Sequence, residues 1–550
     1  MSLWSTISYR VKEIISKMIG ARTIEQALHV APAISSKMEE AIRDWADMYT
    51  NQAPWIKEPT TLDPERVVSL GIPAMIASEK ARTCLLEFQS EITTPMEDVE
   101  VPNPDYKEPE PDVLGNIIPS AQPPTVVEKK PIGKTDRADF LNTQWQKFIT
   151  KKLRREFEYA VAKGGMVFKP YPVQGVDGSW NFVFDCIQAD NFYPISFNND
   201  DEITEAAFIQ TAIEGEFVYR RLEYHKWENK QVQIINRCFK STNNQTQGDV
   251  NGMDLGQEVP LTEVPQWKDL QPSVVVGPVD KPLFAYFKMP QANNIDTSSP
   301  LGISGFSKAK SLIKDADEQY SRLLWEYEGG ELGIDIDRDA LNFVEGGIDR
   351  NGQHITGHST LGKKQQRLYR KVDLGSDGTT YQPYNPTLRD ASYNAGLNTI
   401  LMRIEDACSI SRGSISDATS EAKTATELKI LKQRTYSDNK DNQDALQSTL
   451  DDIIYIMNVY CDLYNITPAG QYDVSYEWDD SLIVDVDEEL GKRITLQQNG
   501  LAGKVENRMW YFGETEQQAK QALAKIEDEN RQAMEENLML QSNLNRNEEE

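Results

Sequence analysis

One very long helix constrains the fold of this chain more than any other feature. Thr424-Ala-Thr-Glu427 resembles a capping box, and the helical pattern behind it continues to about Asn465, which gives about 60 Å if the helix is unbroken. Residues 432–444 are almost wholly polar. An apolar stripe returns only afterwards, at Leu446, Leu450, Ile453, Met457 and Tyr460. We expect the polar midsection to cross solvent, bend or face a neighbouring subunit, because a conventional core cannot bury it.

Two amphipathic helices precede the long one, over 303–328 and 388–408. The first begins after Ser298-Ser299-Pro300 and ends at Gly329-Gly330. Apolar residues recur every three or four positions: Phe306, Ala309, Ile313, Ala316, Tyr320, Leu323 and Tyr327, then Leu388, Ala391, Ala395, Leu397, Leu401, Ile404 and Cys408. The opposite face of the first helix is charged, with Lys308, Lys310, Lys314, Asp317 and Glu318. The two helices bracket a short β-rich segment. This order predicts an antiparallel helix pair with a head at its far end.

A serine-rich loop, 409–423, joins the second helix to the long one. Nearly all its side chains are small or polar, so it cannot build a core. Arg412 and Lys423 are its only cations. A flexible surface loop is the simplest interpretation of these residues alone.

The rest of the chain alternates between helical and β patterns, which predicts an α+β fold. Helices are expected over 6–50, as two segments, and over 72–92, 139–162 and parts of 479–550. Short β-branched and aromatic runs between 166 and 238 predict a meandering antiparallel sheet. Pro95 to Pro131 is rich in proline and acidic residues, and we interpret it as an extended or disordered insertion.

Composition and charge narrow the functions that the chain can have. Its 550 residues carry a net charge of −28, which argues against tight binding to a phosphate backbone, although DNA that passes without sticking remains compatible. No apolar run approaches the roughly 18 residues of a membrane span, and the N-terminus lacks the pattern of a signal peptide. We therefore expect a protein of the cytosol. The five cysteines are scattered along the sequence, and we interpret them as small buried residues.

Enzyme motifs fail at specific positions. Gly133-Lys134-Thr135 lacks the phosphate-loop glycine five residues earlier, where Glu128 stands. Asp335, Asp337 and Asp339 alternate as in a calcium loop, but Ala340 and Gly346 occupy its glycine and glutamate positions, so an alternating edge strand is favoured. His354 and His358 lie among glycines without a zinc motif. The sequence predicts no enzyme, no cofactor and no metal site.

Several segments, in order along most of the chain, resemble the portal proteins of long-tailed phages that infect Gram-positive bacteria. Residues 283–304 resemble the family's approach to its first stem helix, and Ala189-Asp-Asn-Phe-Tyr-Pro-Ile-Ser196 resembles its β region. Lys423-Thr-Ala-Thr-Glu427 is similar to the opening of its long helix. Residues 484–530, with Leu501-Ala-Gly and Trp510-Tyr-Phe-Gly, resemble its crown. The insertion at 95–131 departs from the family pattern.

The resemblance implies a ring, generally a dodecamer, with wing, stem, clip and crown. The implied segments are a helical wing region at 1–94, the insertion at 95–135, a wing helix plus antiparallel β region at 136–299, a stem helix at 300–328, a clip at 329–386, a second stem helix at 387–408, a tunnel loop at 409–423, the long wing helix and its connection at 424–478, and the crown with an acidic tail at 479–550. The ring would stand at one vertex of the capsid in the virion, after assembly in the cytoplasm of the bacterial host.

The resemblance also implies partners and contact residues. Expected partners are further copies of the chain, double-stranded DNA, the large subunit of the terminase, a head-completion or adaptor protein, and the major capsid and scaffold proteins, with no membrane. The DNA-contacting loop residues would be Ser411, Arg412, Ser414, Ser416, Thr419, Ser420 and Lys423. A basic cluster, Lys363, Lys364, Arg367, Arg370 and Lys371, would dock the clip to an acidic motor surface, unless it is simply a solvated hairpin.

Two other classes of function stay open at this point. One is a scaffold or minor head protein without a DNA channel. The other is a nuclease or packaging ATPase, which the absence of a phosphate loop and of a carboxylate cluster disfavours.

Overall fold

The computed structural model describes residues 24–57, 67–86, 88–102, 125–241, 255–337, 381–417, 425–478, 486–516 and 518–526, with short pieces between 343 and 372 and at 528 and 531. The chain divides into two compact units, Met1–Trp478 and Asp479–Glu550, and each is described by itself. Helices and strands both contribute throughout the first unit, so the predicted α+β class is confirmed.

The helices and strands are numbered in chain order. The helices are α1 Ile24–Leu28, α2 Ser36–Tyr49, α3 Pro54–Lys57, α4 Ile72–Cys84, α5 Asp136–Phe148, α6 Arg154–Lys163, α7 Lys310–Gly329, α8 Asp390–Cys408, α9 Ala425–Leu463, α10 Val486–Gln498 and α11 Lys504–Phe512. The strands are β1 Gln89–Thr93, β2 Met96–Pro102, β3 Thr125–Pro131, β4 Gly165–Gln174, β5 Trp180–Gln188, β6 Phe192–Phe197, β7 Ile203–Glu214, β8 Phe217–Glu228, β9 Gln231–Ser241, β10 Gln257–Val259, β11 Ser273–Val276, β12 Ala285–Lys288, β13 Gly333–Asp337, β14 Phe343–Val344, β15 Gly347–Ile348, β16 His354–Ile355, β17 His358–Ser359, β18 Tyr369–Val372, β19 Tyr381–Tyr384 and β20 Asp473–Glu477.

One apolar core joins α2, α4, α5, α6 and α9, which we call the helical core. Its helices bury the stripes that their sequence periodicity predicts; in α2 these residues are Met38, Ala41, Ile42, Trp45 and Met48. The Ser35 hydroxyl caps α2 by accepting from the Met38 backbone N–H at 3.3 Å. A single π-helical turn, Ile149–Leu153, joins α5 to α6 without a break in the helical path.

The predicted helix over 72–92 is too long. Helix α4 ends at Cys84, and the chain then forms β1, which pairs antiparallel with β20 from Gln89 opposite Glu477 to Thr93 opposite Asp473. The pairing partner lies at the far end of the unit's sequence. A strand that exists because of so distant a partner leaves little local signal, which is why the helical pattern was extended through it.

The β region forms two sheets rather than the single meander that the sequence predicts. Strands β6 to β10 do meander, with β11 added beside β9. Strands β4 and β5 belong instead to a separate sheet with β12, in which Met166 lies opposite Phe287. A short 3-10 turn at Ala189–Asn191 separates β5 from β6, so the chain leaves one sheet there and begins the other.

The two ends of the proline-rich insertion pair with each other. Strands β2 and β3 are antiparallel, with Glu97 opposite Lys130 and Asp98 opposite Lys129. Opposite charges at facing positions favour this register. The prediction of an extended or disordered insertion over 95–131 is compatible with these extended strands at its ends, whereas 103–124 lies outside the described residues.

The long helix is real, but its polar midsection is not left to solvent. Helix α9 spans 39 residues and packs against α4, α5, β4 and β12. Asn439, Asn442 and Gln443 are buried, and Asp438 pairs with Lys80 of α4 at 2.5 Å. The expectation that residues 432–444 stay out of the core is wrong for Asp438, Asn439 and Gln443, because α4 supplies polar partners for them. Residues 418–424, with the capping threonine, lie outside the described residues.

The second unit contains α10 and α11. The side chain of Asn507 in α11 donates to the Arg493 carbonyl at 3.2 Å and to Gln497 Oε1 at 2.9 Å, which links the two helices. The Arg493 guanidinium lies over the Trp510 ring, 4.4 Å from its centre.

Candidate functional site

The first helix of the predicted pair begins later than its sequence pattern suggests. Residues 301–306 are buried and not helical, and α7 starts at Lys310 after a 3-10 turn at Ser307–Ala309. Backbone packing holds this approach: Gly305 N–H donates to the Val161 carbonyl at 2.9 Å. A Cβ on Gly302 would lie 2.1 Å from the Gly164 carbonyl oxygen. The chain therefore reaches α7 through a fixed extended segment of the core.

Helices α7 and α8 form the predicted antiparallel pair, which we call the helix pair. Arg389 at the start of α8 holds Glu326 near the end of α7 through two guanidinium hydrogen bonds, at 3.1 and 2.7 Å. At the other end, α8 packs against the turn before α7, and Ile404 and Cys408 enter the core. This near end of the pair joins the apolar core of the subunit.

Asp317 does not belong to the charged outer face where the sequence places it. Its carboxylate is buried, where it accepts from Trp55 Nε1 at 3.0 Å and from the Leu70 backbone N–H at 2.9 Å. Burial raises the pKa of Asp317 above its ordinary value. The neighbours Lys308, Lys310 and Lys314 are exposed, as expected of that face.

The far end of the helix pair carries exposed apolar and aromatic side chains. Trp325 is 51% exposed and Leu332 is 54% exposed. Others at the same end are Tyr327, Tyr381, Tyr384 and Leu388. Tyr327 and Leu388 belong to the apolar stripes predicted from the sequence, but each remains 40% exposed in the described subunit. Exposed clusters of large apolar side chains mark surfaces that bind other proteins.

The head between the two helices contains a small mixed sheet. Strand β13 lies in its middle, parallel to β18 and antiparallel to β19. The strand prediction for Asp335 and Asp337 is therefore confirmed, but its placement at a sheet edge is wrong. His354 and His358 lie in different strand pairs. Of the predicted clip cluster, Arg370 and Lys371 belong to β18, without described side chains, and Lys363, Lys364 and Arg367 lie outside the described residues.

A buried glutamate holds the loop that follows α8. Glu405 is 0% exposed, and its carboxylate accepts from the backbone N–H of Ile415 at 2.7 Å and of Ser416 at 2.9 Å. It also accepts from the Ser416 hydroxyl at 2.7 Å and from Gly413 N–H at 3.2 Å. Gly413 has a φ of +90°, which favours glycine. Hydrogen bonds to a buried carboxylate are among the stronger ones, so Glu405 fixes the shape of 413–416.

The next residue, Asp406, lies among arginines. Arg412 from the loop donates to its carboxylate at 3.2 and 2.7 Å. Arg434 of α9 lies 3.4 Å from it and Arg403 of α8 lies 3.8 Å from it. The hydrogen bonds from Arg412, with the charges of Arg434 and Arg403, lower the pKa of Asp406. Sequence reasoning chose Arg412 and missed the other two, although the Arg403–Asp406 spacing of one helical turn was visible.

The predicted loop residues therefore differ in what they present to solvent. Arg412 and Ser414 are exposed. Ser411 shares a 2.9 Å hydrogen bond with the Thr435 hydroxyl. Ser416 is buried and its hydroxyl is committed to Glu405, so it does not face solvent in this structure. Thr419, Ser420 and Lys423 lie outside the described residues.

Two kinds of feature, a metal-holding cluster and a membrane-spanning helix, are not found among the described residues. They contain no cluster of three or more His, Cys, Asp or Glu side chains placed to hold a metal ion. No helix among them combines the length and apolar character needed to span a membrane.

The α+β subunit therefore combines a helix pair that exposes apolar side chains at its far end with a polar loop at its near end. The family model described as "Phage portal protein, SPP1 Gp6-like" matches residues 130–536. Because that match covers more than half of the chain, the chain belongs to this family of phage portal proteins. Comparison with curated proteins gives no match. The family is one of structural, non-enzymatic capsid proteins, the head-to-tail connectors that serve genome packaging.

Proposed function

We propose that this chain forms a ring at one vertex of the phage capsid, generally a dodecamer, through which the terminase motor packages DNA and from which DNA later leaves. The observation that carries the proposal is the helix pair. Its near end is anchored in the subunit core, its far end exposes Trp325 and Leu332, and the polar loop 409–417 lies at its base.

The division into wing, stem, clip and crown follows the chain. Residues 1–94 and 136–299 would form the wing with the long helix 424–478, and 95–135 an insertion in it. Residues 300–328 and 387–408 would be the stem around the clip at 329–386, with the tunnel loop at 409–423 and the crown and tail at 479–550. The clip would dock the large terminase subunit and later a head-completion or adaptor protein. Major capsid and scaffold proteins would contact the outside of the ring.

The charge of the chain suits a channel that must not hold its cargo. A net charge of −28 makes much of the surface repulsive to phosphate, and that repulsion acts over a Debye length of about 8 Å at physiological salt. Short hydroxyl side chains such as Ser414 touch phosphate oxygens with little commitment. Arg412 would supply isolated attraction within this repulsive field.

A packaging assay tests the conduit. Packaging extracts are assembled with the natural chain or with Arg412→Ala combined with Lys423→Ala, and DNA protected from nuclease is measured. We expect the double variant to assemble into normal heads but to package or retain less DNA. If capsids fill normally, the two cations are not the DNA contacts.

The same assay separates the conduit from a scaffold or minor head protein. Heads assembled without this chain are expected to close but to contain no protected DNA. If such heads package DNA normally, the chain only recruits other proteins and the proposed conduit is wrong. The proposed location, the portal vertex of virions assembled in the host cytoplasm, is checked by labelling the chain in mature particles.

A further inference from the structure

Three separate elements bring cations to one carboxylate. Arg403 comes from α8, Arg412 from the loop and Arg434 from α9, and all three surround Asp406. Arg403 and Asp406 lie near the end of α8 and Arg412 lies in the loop just after it, whereas Arg434 lies well inside α9. We call Arg403, Arg412 and Arg434 the arginine cluster.

The arginine cluster carries more positive charge than the carboxylates around it neutralise within the described part of the chain. Its guanidinium groups face Asp406, and the buried Glu405 adds one further carboxylate that is already held by the loop backbone. The side chains of Arg403, Arg412 and Arg434 remain 67%, 41% and 59% exposed. A guanidinium carries five N–H donors, and Arg403, at 3.8 Å, lies beyond hydrogen-bond distance of Asp406. Donors therefore remain open to an anion from solvent.

We propose that the arginine cluster is a composite binding site for a backbone phosphate of double-stranded DNA, with Asp406 as a built-in competitor. The proposal rests on the conduit function and deepens it. A phosphodiester and a carboxylate offer guanidinium the same kind of paired oxygen acceptor. When a phosphate arrives, Arg412 exchanges one anion for another, so the net gain stays small. Arg403 and Arg434 are held more loosely and supply the surplus attraction.

This exchange gives weak and reversible contacts, which passage of DNA requires. Without Asp406, three clustered arginines would form a deep electrostatic well at each subunit. With Asp406 present, each phosphate must displace a carboxylate to reach the arginines, which lowers the net free energy gained from the contact. Glu405 is a positioning residue in this scheme: by fixing Gly413 and Ile415, it sets where the neighbouring Arg412 side chain leaves the loop.

The test measures binding of a short fluorescent DNA duplex to the purified full-length protein over a range of salt concentrations. Each lost phosphate contact lowers the slope of log K against log salt by about 0.9. We expect Arg403→Ala and Arg434→Ala each to lower the slope by about this amount for every subunit that touches the duplex. Asp406→Asn should tighten binding several-fold at the same salt concentration.

Arg322→Ala is the matched control. Arg322 lies on α7, is 63% exposed and pairs with Glu318. Its substitution therefore removes the same charge from the other helix of the pair. If Arg434→Ala and Arg322→Ala behave alike, or if Asp406→Asn leaves the affinity unchanged, the composite site is wrong. The conduit proposal survives that result as long as the natural protein still packages DNA.

Two further results separate the remaining explanations. Glu405→Gln should weaken DNA binding only through its effect on Arg412. Adding it to Arg412→Ala should therefore cause no further loss of DNA affinity. An additive loss of affinity would contradict the positioning role of Glu405. If the arginine variants instead dissociate the assembly while DNA affinity per subunit is unchanged, the cluster binds a carboxylate of a second copy of the chain, and the phosphate site is refuted.

Discussion

The helical core and the helix pair satisfy their polar and apolar groups in opposite ways. In the core, even charged side chains find partners within the subunit: Lys80 is 1% exposed and is paired with Asp438. Along the helix pair, large apolar side chains such as Trp325 remain half exposed. The core thus satisfies such groups within one subunit, whereas the described far end of the pair leaves large apolar side chains exposed.

This difference separates stability from assembly. Changes in the core should alter the unfolding of the subunit, and changes at the far end of the helix pair should alter only its association. The following variants test that separation, in order of expected effect on the free energy of unfolding.

Lys80→Met should have the largest effect. It keeps the length of the side chain but leaves Asp438 without its buried partner, and breaking such a pair costs about 3 kcal/mol or more. Chemical denaturation of the variant measures the loss. Lys230→Ala is the control, because Lys230 and Asp280 are both about 70% exposed, and no change is expected there. Equal effects of the two variants would show that the core does not depend on this pair.

Gly164→Ala tests the close approach between the core and the segment leading to α7. Gly164 has a φ of +87°, and a Cβ there would lie 2.7 Å from the Gly302 carbonyl oxygen. Gly133→Ala is a matched control, since Gly133 has a φ of +86° and open space around it. Overpacking should cost Gly164→Ala about 1–3 kcal/mol more than the control. Equal losses in thermal unfolding would mean that only backbone strain matters.

His225 should make the β region sensitive to acid. Burial lowers the pKa of His225, and its Nε2 lies 2.6 Å from the buried Glu223 carboxylate. The folded state therefore resists a proton that the unfolded chain accepts below its ordinary pKa of 6.5. Stability contributed by this histidine is complete above pH 6.5 and falls as the pH drops, by at most about 1.4 kcal/mol per pH unit.

The variant His225→Gln separates the effect of protonating His225 from that of the many carboxylates that also titrate. We expect the natural protein to lose more stability than the variant between pH 7 and pH 5, as measured by urea denaturation at each pH. Parallel losses would show that the histidine takes up its proton in the folded state.

Trp325→Ala should barely change the unfolding of the subunit, because this side chain is exposed already. It should instead reduce the fraction of chains found in assemblies by sedimentation. Ile213→Ala, at a side chain 67% exposed on β7, should change neither quantity. A loss of subunit stability in Trp325→Ala without a loss of assembly would remove the distinction between core and helix pair.

The features that the sequence predicted correctly are those that depend on residues close together in the chain. The stripes of α2, α8 and α9 follow a local period, so most of their extent was visible. The end of α4 was not, because β1 exists through its pairing with β20. Asp317 was placed on a solvent face because its donor Trp55 lies 262 residues away, and the Lys80–Asp438 pair spans 358 residues.

The candidate site divides along the same line. Composition identified the loop and Arg412. It did not reveal Glu405, because a glutamate on a polar helix face gives no sign that backbone N–H groups of the following loop will surround it. Arg434 was missed because it joins the site only through the tertiary fold, which brings it within 3.4 Å of Asp406 from 28 residues away.

Imaging the purified full-length chain by negative-stain electron microscopy tests the central claim most directly. We expect closed rings with an axial hole wide enough for a DNA duplex, built from copies of this chain alone. The ring would be contradicted if the natural chain gave only single-subunit particles and behaved identically to Trp325→Ala at the same concentration.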